Sequence, residues 1–231
     1  MRRPTIAVLL ASLAILFAAD PAPARAQAGF PRIFGADERQ SYDIAPFTNW
    51  TRVIARAQHE MTAATVVCAP GVTAACEPAE WREALQAMAG MSLRQKVDYA
   101  NAAMNRHTYV PSLVNWGTSS YWETPFEFLR RSGQCQDYAI AKFVLLRAAG
   151  VPNDSMRLVV VRDTLSRLDH AVLVVAVDGT GLVLDNQSPS VLPAEAVRRY
   201  IPYYSINENA WWQHAGLNLR TASRSVGNGP S

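Results

Sequence analysis

The sequence predicts an α+β fold, in which N-terminal helices lead to a central cysteine-bearing helix packed on an antiparallel β-sheet. Three observations carry that prediction. Between residues 47 and 150, apolar side chains recur at helical spacing, punctuated by Pro, Ser, Thr and Gly. Between residues 156 and 186 the texture changes to runs of β-branched residues broken by one compact turn signal. Helices first, then consecutive antiparallel strands, argue for α+β rather than for alternating α/β.

The chain has 231 residues and opens on MRRPTIAVLLASLAILFAADPAPARAQ. Arg2 and Arg3 give a basic start, an apolar run extends from Ile6 to Ala19, and small residues offer A-x-A cleavage at Ala24-Arg25-Ala26 or Ala26-Gln27-Ala28. This pattern predicts a secretory signal peptide over residues 1–26 and an exported, periplasmic protein. The run is shorter than the ~20 residues that span a bilayer, so no stable membrane insertion is expected after cleavage. The remainder of the chain suits one domain, residues 27–225, with 226–231 as a disordered tail. The formal charge of +3 resides largely in the leader. With no basic stripe, nucleic acid is not an expected partner.

The first helix is predicted in FTNWTRVIARAQHEM, where Phe47, Trp50, Val53, Ile54, Ala57 and Met61 share a face. PAEWREALQAMAG starts with Pro and ends with Gly, a short helix with Trp81, Leu85 and Met88 inward. SLRQKVDYANAAMNR comes next, with Ser92 as its cap. In ETPFEFLRR, Thr124, Pro125 and Glu127 fit the N-cap, N1 and N3 positions of a capping box. That helix should stop at Ser132-Gly133. The next should begin near Cys135 and end at Gly150, with Pro152 just beyond. Its apolar stripe, Ala139, Ile140, Phe143, Val144 and Leu146, makes it the buried centre of the fold.

MRLVVVRD, HAVLVVAV and GLVLDN are the expected strands, the last two joined through DGTG. LPAEAVRRY is expected as one more short helix.

The three cysteines divide into two and one. Cys68 and Cys76 flank a Pro/Gly-containing loop and are the expected disulfide of an exported protein. No His or second Cys pair lies at zinc-ligand spacing beside them. Cys135 is left over, at the first turn of the central helix. Unpaired N–H groups and the helix dipole favour an anion there, and the thiolate is the reactive form of a thiol. His170 opens one strand and Asp185 closes the next. A cysteine nucleophile, a histidine base and a carboxylate orienting it make a triad in three roles. Singly, each has an ordinary alternative as a small buried hydrophobe, a strand-edge histidine and a turn aspartate. Their order along the chain is the arrangement of papain-like and transglutaminase-like folds.

The register poses a difficulty. With a tight turn at Gly179-Thr180, His170 faces Pro189, and Asp185 lies four positions away, roughly 13 Å at ~3.3 Å per residue. Either that turn lies elsewhere or the loop before His170 curls back. Failing both, Asp169 or Asp178 would have to replace Asp185 as the third member.

The run YWETPFEFLRRSGQCQDYAIAKFVLLRAAGVP, with DHAVLVV, LVLDNQ, FGADERQSYDIAPFTNW and PYYSIN, resembles the bacterial transglutaminase-like cysteine peptidase family. The resemblance implies a hydrolase, a thiol protease acting on a protein substrate of the cell surface or envelope. It carries the catalytic roles to Cys135, His170 and Asp185, and implies that Trp122 lines the substrate cleft, although Trp122 also suits plain core packing. Family members typically read Asp-Cys-Glu-Asp at the nucleophile, with acids that help bind calcium. Here the positions read Gln134-Cys135-Gln136-Asp137, and Asp137 alone matches. Calcium takes several hard oxygen ligands and its affinity follows their charge, so no required cofactor and weak or absent calcium dependence are expected. The residues themselves support acyl transfer at a thiol. They leave open whether water or an amine accepts the acyl group, and whether the cleft is a silent peptide-binding module.

Overall fold

The computed structural model describes residues 29–64 and 77–215. The leader at 1–26, the Cys68–Cys76 pairing and the tail at 226–231 lie outside the described residues.

A short strand, β1 (Asp37–Ser41), precedes α1 (Thr48–Ala64), α2 (Ala79–Met88), α3 (Leu93–Met104), a one-turn α4 (Ser112–Trp116), α5 (Pro125–Arg131) and α6 (Cys135–Ala148). Then come β2 (Met156–Asp163), β3 (Leu168–Val177), β4 (Thr180–Leu184), β5 (Leu192–Pro193), β6 (Tyr200–Ile206) and β7 (Trp211–Ala215). All seven strands form one antiparallel sheet in the order β1-β7-β6-β2-β3-β4-β5.

The capping logic holds in detail. Ser92 accepts from the Gln95 N–H and the Gln95 side chain reaches back, and Thr124 and Glu127 do the same around Pro125. These boxes fix where α3 and α5 begin, and hence where the loops between them run. Helix α6 is buried from Gln136 to Leu146, which its unusually apolar composition requires. It packs on β3 and against α3 and α5. Phe143 meets Trp50 edge-to-face at 5.2 Å in the larger core. Burying a side chain of that size contributes about 1.5–3 kcal/mol.

The sheet buries both faces. Leu158, Leu173, Val175 and Leu184 face the larger, helix-covered core. Val159, Val161, Val172, Val174 and Val183 face a smaller one closed by Ile33, Phe34 and Tyr200. Continuous burial on both sides explains why these strands read as unbroken β-branched runs.

Two expectations are corrected. The β3–β4 turn is Asp178-Gly179, one residue earlier than drawn from the sequence, because Val177 pairs with Thr180. Asp178 (φ +48°) and Gly179 (φ +81°) are both left-handed, as a type I′ hairpin requires. LPAEAVRRY is not a helix. It is β5, a single 3₁₀ turn at Ala194–Ala196 and the start of β6. β5 pairs with β4, and Ala194 packs into the smaller core, so tertiary pairing overrides a modest local helix preference.

Candidate active site

The corrected turn removes the register difficulty. Continuing the pairing of Val177 with Thr180 sets His170 opposite Gln187, two residues from Asp185 rather than four. A diagonal neighbour on the same face lies within reach of long side chains. His170 Nε2 and Asp185 Oδ1 are 2.9 Å apart, with the residues 5% and 4% exposed. The sheet alternation places His170 with Val172 and Val174, on the face that also carries Tyr200. Asp169 and Asp178 take no part. Asp169 pairs with Arg162 at an exposed edge, and Asp178 sits in the turn.

Asp185 follows directly on the end of β4, where the chain turns. Its Oδ1 also accepts the Gln187 N–H at 2.9 Å, and its Oδ2 accepts the Tyr200 hydroxyl at 2.5 Å and Arg199 Nη2 at 3.2 Å. Burial alone would raise the carboxyl. The hydrogen bonds from His170, Tyr200 and the Gln187 N–H outweigh it and hold Asp185 well below the usual carboxylate range. Burial likewise pushes the His170 imidazole down, but hydrogen bonding to Asp185 and to the Cys135 thiol more than offsets this and holds it up at about 9. With Nε2 engaged by Asp185, Nδ1 is the nitrogen left for the thiol.

Cys135 is the first residue of α6, partly exposed and free. Its Sγ lies 3.6 Å from Gln136 Oε1. The approach to the helix is tightly built. Asp137 Oδ2 accepts the Gln134 N–H at 3.0 Å, and Oδ1 accepts the Glu123 N–H at 2.9 Å. Gly133 permits this, since a Cβ there would meet Asp137 Cβ and Oδ2 at 2.8 Å. Gln134 Oε1 accepts from the Ser112 N–H at 3.4 Å, tying the α4 loop to the nucleophile. Asp137 is fully buried. Burial raises its carboxyl to about 7, the two backbone N–H groups oppose that, and the neighbouring Glu123 and Glu127 add to it.

Calcium takes several hard oxygen ligands, and the residues around the nucleophile offer few. Both Asp137 oxygens are engaged by backbone N–H groups, and the Gln136 amide Nε2 lies 3.4 Å from each. Amides occupy positions 134 and 136, so Asp137 is the single carboxylate of the motif. Glu123 is buried alongside; its Oε1 accepts from Asn115 and Trp116, and its Oε2 is buried without a partner. Among the described residues, no group of three His, Cys, Asp or Glu is placed to hold a metal.

Trp122 stands apart from these residues. It packs partly against the larger core, its carbonyl accepts from Arg56, and it lines a surface pocket with Asn49, Arg52 and Tyr121 that includes none of Cys135, His170 and Asp185. Sequence reasoning missed Tyr200 and Arg199, which hold the acid, and Tyr109. Tyr109 forms a parallel bridge with Gly133 and is half-exposed, and burial and then the Cys135 charge push its phenol up. The signal for Tyr200 was its β-strand context, obscured by the helical reading of LPAEAVRRY. Tyr109, in a loop before a proline, had none.

Comparison with known proteins agrees with this architecture. The family described as bacterial transglutaminase-like cysteine proteinase (BTLCP) matches residues 64–218. Legionella pneumophila LapG is similar in structure, with a TM-score of 0.56 and 24% identity over 74% of this chain and 92% of that one. A calcium-bound form of the same Legionella protein gives a TM-score of 0.56 at 21% identity, covering 74% of this chain and 98% of that one. An EGTA-treated form gives 0.56 at 23% identity, over 71% and 88%. No curated protein sequence matches. The shared fold is papain/transglutaminase-like.

Proposed function

The chain belongs to the bacterial transglutaminase-like cysteine proteinases, and from that premise we propose an exported endopeptidase that cleaves a protein of the cell envelope through Cys135, His170 and Asp185. The observation that carries the reading is the buried His170–Asp185 pair at 2.9 Å, with a free, partly exposed thiol at a helix N-terminus that raises the same imidazole's pKa. Export rests on the leader pattern at residues 1–26.

The Cys135 thiolate attacks the scissile carbonyl carbon, and the C=O π electrons move to oxygen. The first-turn N–H of Cys135 is a donor to that oxyanion. As the tetrahedral species collapses, the C–N bond breaks and the His170 imidazolium gives its proton to the leaving amine. A thioester remains. His170, now neutral, takes a proton from water as it attacks, and the carboxylate product departs with the thiolate restored. Asp185 holds the tautomer with the proton on Nε2, leaving Nδ1 to exchange protons with the thiol and substrate.

A peptide electrophile should label Cys135 covalently, and Cys135→Ala should abolish both labelling and cleavage. If wild type and Cys135→Ala behave alike on every acyl substrate, the enzymatic reading fails. Isopeptide formation with an added amine, in place of release of a free carboxylate, would identify a transglutaminase instead.

The proposal extends to calcium. With amides at 134 and 136 and Asp137 committed to backbone N–H groups, the thiol chemistry runs without the ion. A calcium chelator is expected to leave kcat/KM unchanged. Loss of activity on chelation, restored by added calcium, would overturn this.

A further inference from the structure

Lys142 is 0% exposed and lies in the middle of α6, seven residues after Cys135. Two helical turns separate the two residues, about 10 Å along the axis on the same side. Nζ is 2.9 Å from Asn101 Oδ1 on α3, and 5.9 Å from the Tyr138 ring centre. Holding an ammonium in such surroundings is costly, and an apolar side chain of the same length would be cheaper there. Packing therefore does not account for it.

Its partner explains the arrangement. Nζ donates to the Asn101 oxygen, and the Asn101 amide group points the other way. That amide donates to the carbonyls of Ser188 at 3.2 Å and Pro189 at 3.5 Å. One helical turn on, Asn105 Nδ2 donates to the carbonyls of Asp185 and Ser188, each at 2.9 Å. The turn that carries Asp185 is thus gripped from below by two asparagines, one of them oriented by a lysine on the nucleophile's own helix.

We infer that Lys142, Asn101 and Asn105 form a buried polar clamp that positions the Asp185 carboxylate against His170. They are positioning residues, acting through the 185–189 turn and touching neither substrate nor thiol. The inference rests on the proposed role of Asp185. Apart from Asn101, the groups facing Lys142 are Tyr138 and, across the turn, the Asp185 carboxylate, whose charge partly offsets the burial that pushes the lysine down to about 7.

The test is an NMR titration of the His170 imidazole in the full chain, wild type against Lys142→Met and Asn105→Ala, alongside kcat, KM and the unfolding midpoint. In both variants the His170 pKa is expected to fall from near 9 toward its ordinary 6.5, because Asp185 no longer reaches it. Activity should fall about 100-fold in kcat with KM little changed. Lys142, held near 7, is mostly neutral where His170 titrates, so Lys142→Met removes little charge there and a fall in the His170 pKa reports displacement of Asp185. An unchanged or raised His170 pKa in both variants overturns the clamp, even if activity drops. Should Lys142→Met fail to fold, Asn105→Ser is read by the same titration. The titration needs no turnover, so a clamp that fails and a peptidase reading that fails give different results.

Discussion

Replacing Asp185 by asparagine is expected to lower kcat by about four orders of magnitude with the fold intact. The carboxylate accepts from His170 Nε2, the Gln187 N–H, Tyr200 and Arg199. An amide keeps the size but presents N–H on one side. If that N–H faces His170, Nε2 must accept, which moves the proton to Nδ1 and leaves no base for the thiol. If it faces Tyr200 and Arg199 instead, two donors crowd a donor. The pH profile tests the same point. His170 keeps its proton until the pH passes about 9, so wild-type activity should hold into mildly alkaline solution and decline through about pH 9. The raised imidazole also contributes stability that is complete below about 6.5 and lost as pH rises through 9. The depressed Asp185 carboxyl contributes stability present above its ordinary value and lost as pH falls toward its folded one. In Asp185→Asn the alkaline limb should move down, toward the ordinary histidine range. An alkaline limb that stays at 9 would mean that Asp185 is not what holds His170 charged.

The three proposed catalytic residues could be picked out in the sequence because each stands at or near an element boundary. Cys135 comes just after Ser132-Gly133, where α5 ends on a residue at φ +61°, and is the first of fourteen helical residues. His170 opens a β-branched run. Those are local signals, and local signals survive in a single sequence. The distance between His170 and Asp185 was not local. It hung on whether DGTG turns at Asp178-Gly179 or one residue later. Aspartate and glycine both tolerate left-handed backbone, so composition permits either turn, and a one-residue difference moves the register by two. The edge strands were harder still. β1 reads DERQS and is almost wholly exposed, so it lacks the alternation that marks a half-buried strand. Its place is fixed by β7, which lies at the far end of the described chain. The same holds for Tyr200 and the Lys142–Asn101–Asn105 clamp. Polar residues that meet across elements leave no period in the chain, and only the folded structure brings them together.

Asp137→Ala is expected to cost about 2–5 kcal/mol of stability and to disorder the nucleophile's helix start. Its two oxygens satisfy the N–H groups of Gln134 and Glu123, and a buried donor left without a partner costs about 1–3 kcal/mol. Gln134 immediately precedes Cys135, and Glu123 begins the turn into the Thr124 cap, so one side chain joins the two helix starts that flank the thiol. The cost should depend on pH in a definite direction. Because burial lifts this carboxyl from 3.8 to about 7, the native state binds its proton more tightly than the unfolded chain does. Wild-type stability contributed by the group is therefore greatest at low pH and declines as pH rises from about 4 to about 7. Alanine has nothing to titrate, so the penalty should be larger at about pH 5 than at about pH 8. Urea unfolding at the two pH values measures it, with the midpoint shifting and the m-value constant. A penalty that grows with pH would show that the carboxylate is stabilised as an anion, either by its N–H donors or by a cation bound beside it. A cation would also make the penalty depend on added calcium, so the same measurement tests the calcium proposal without any assay of activity.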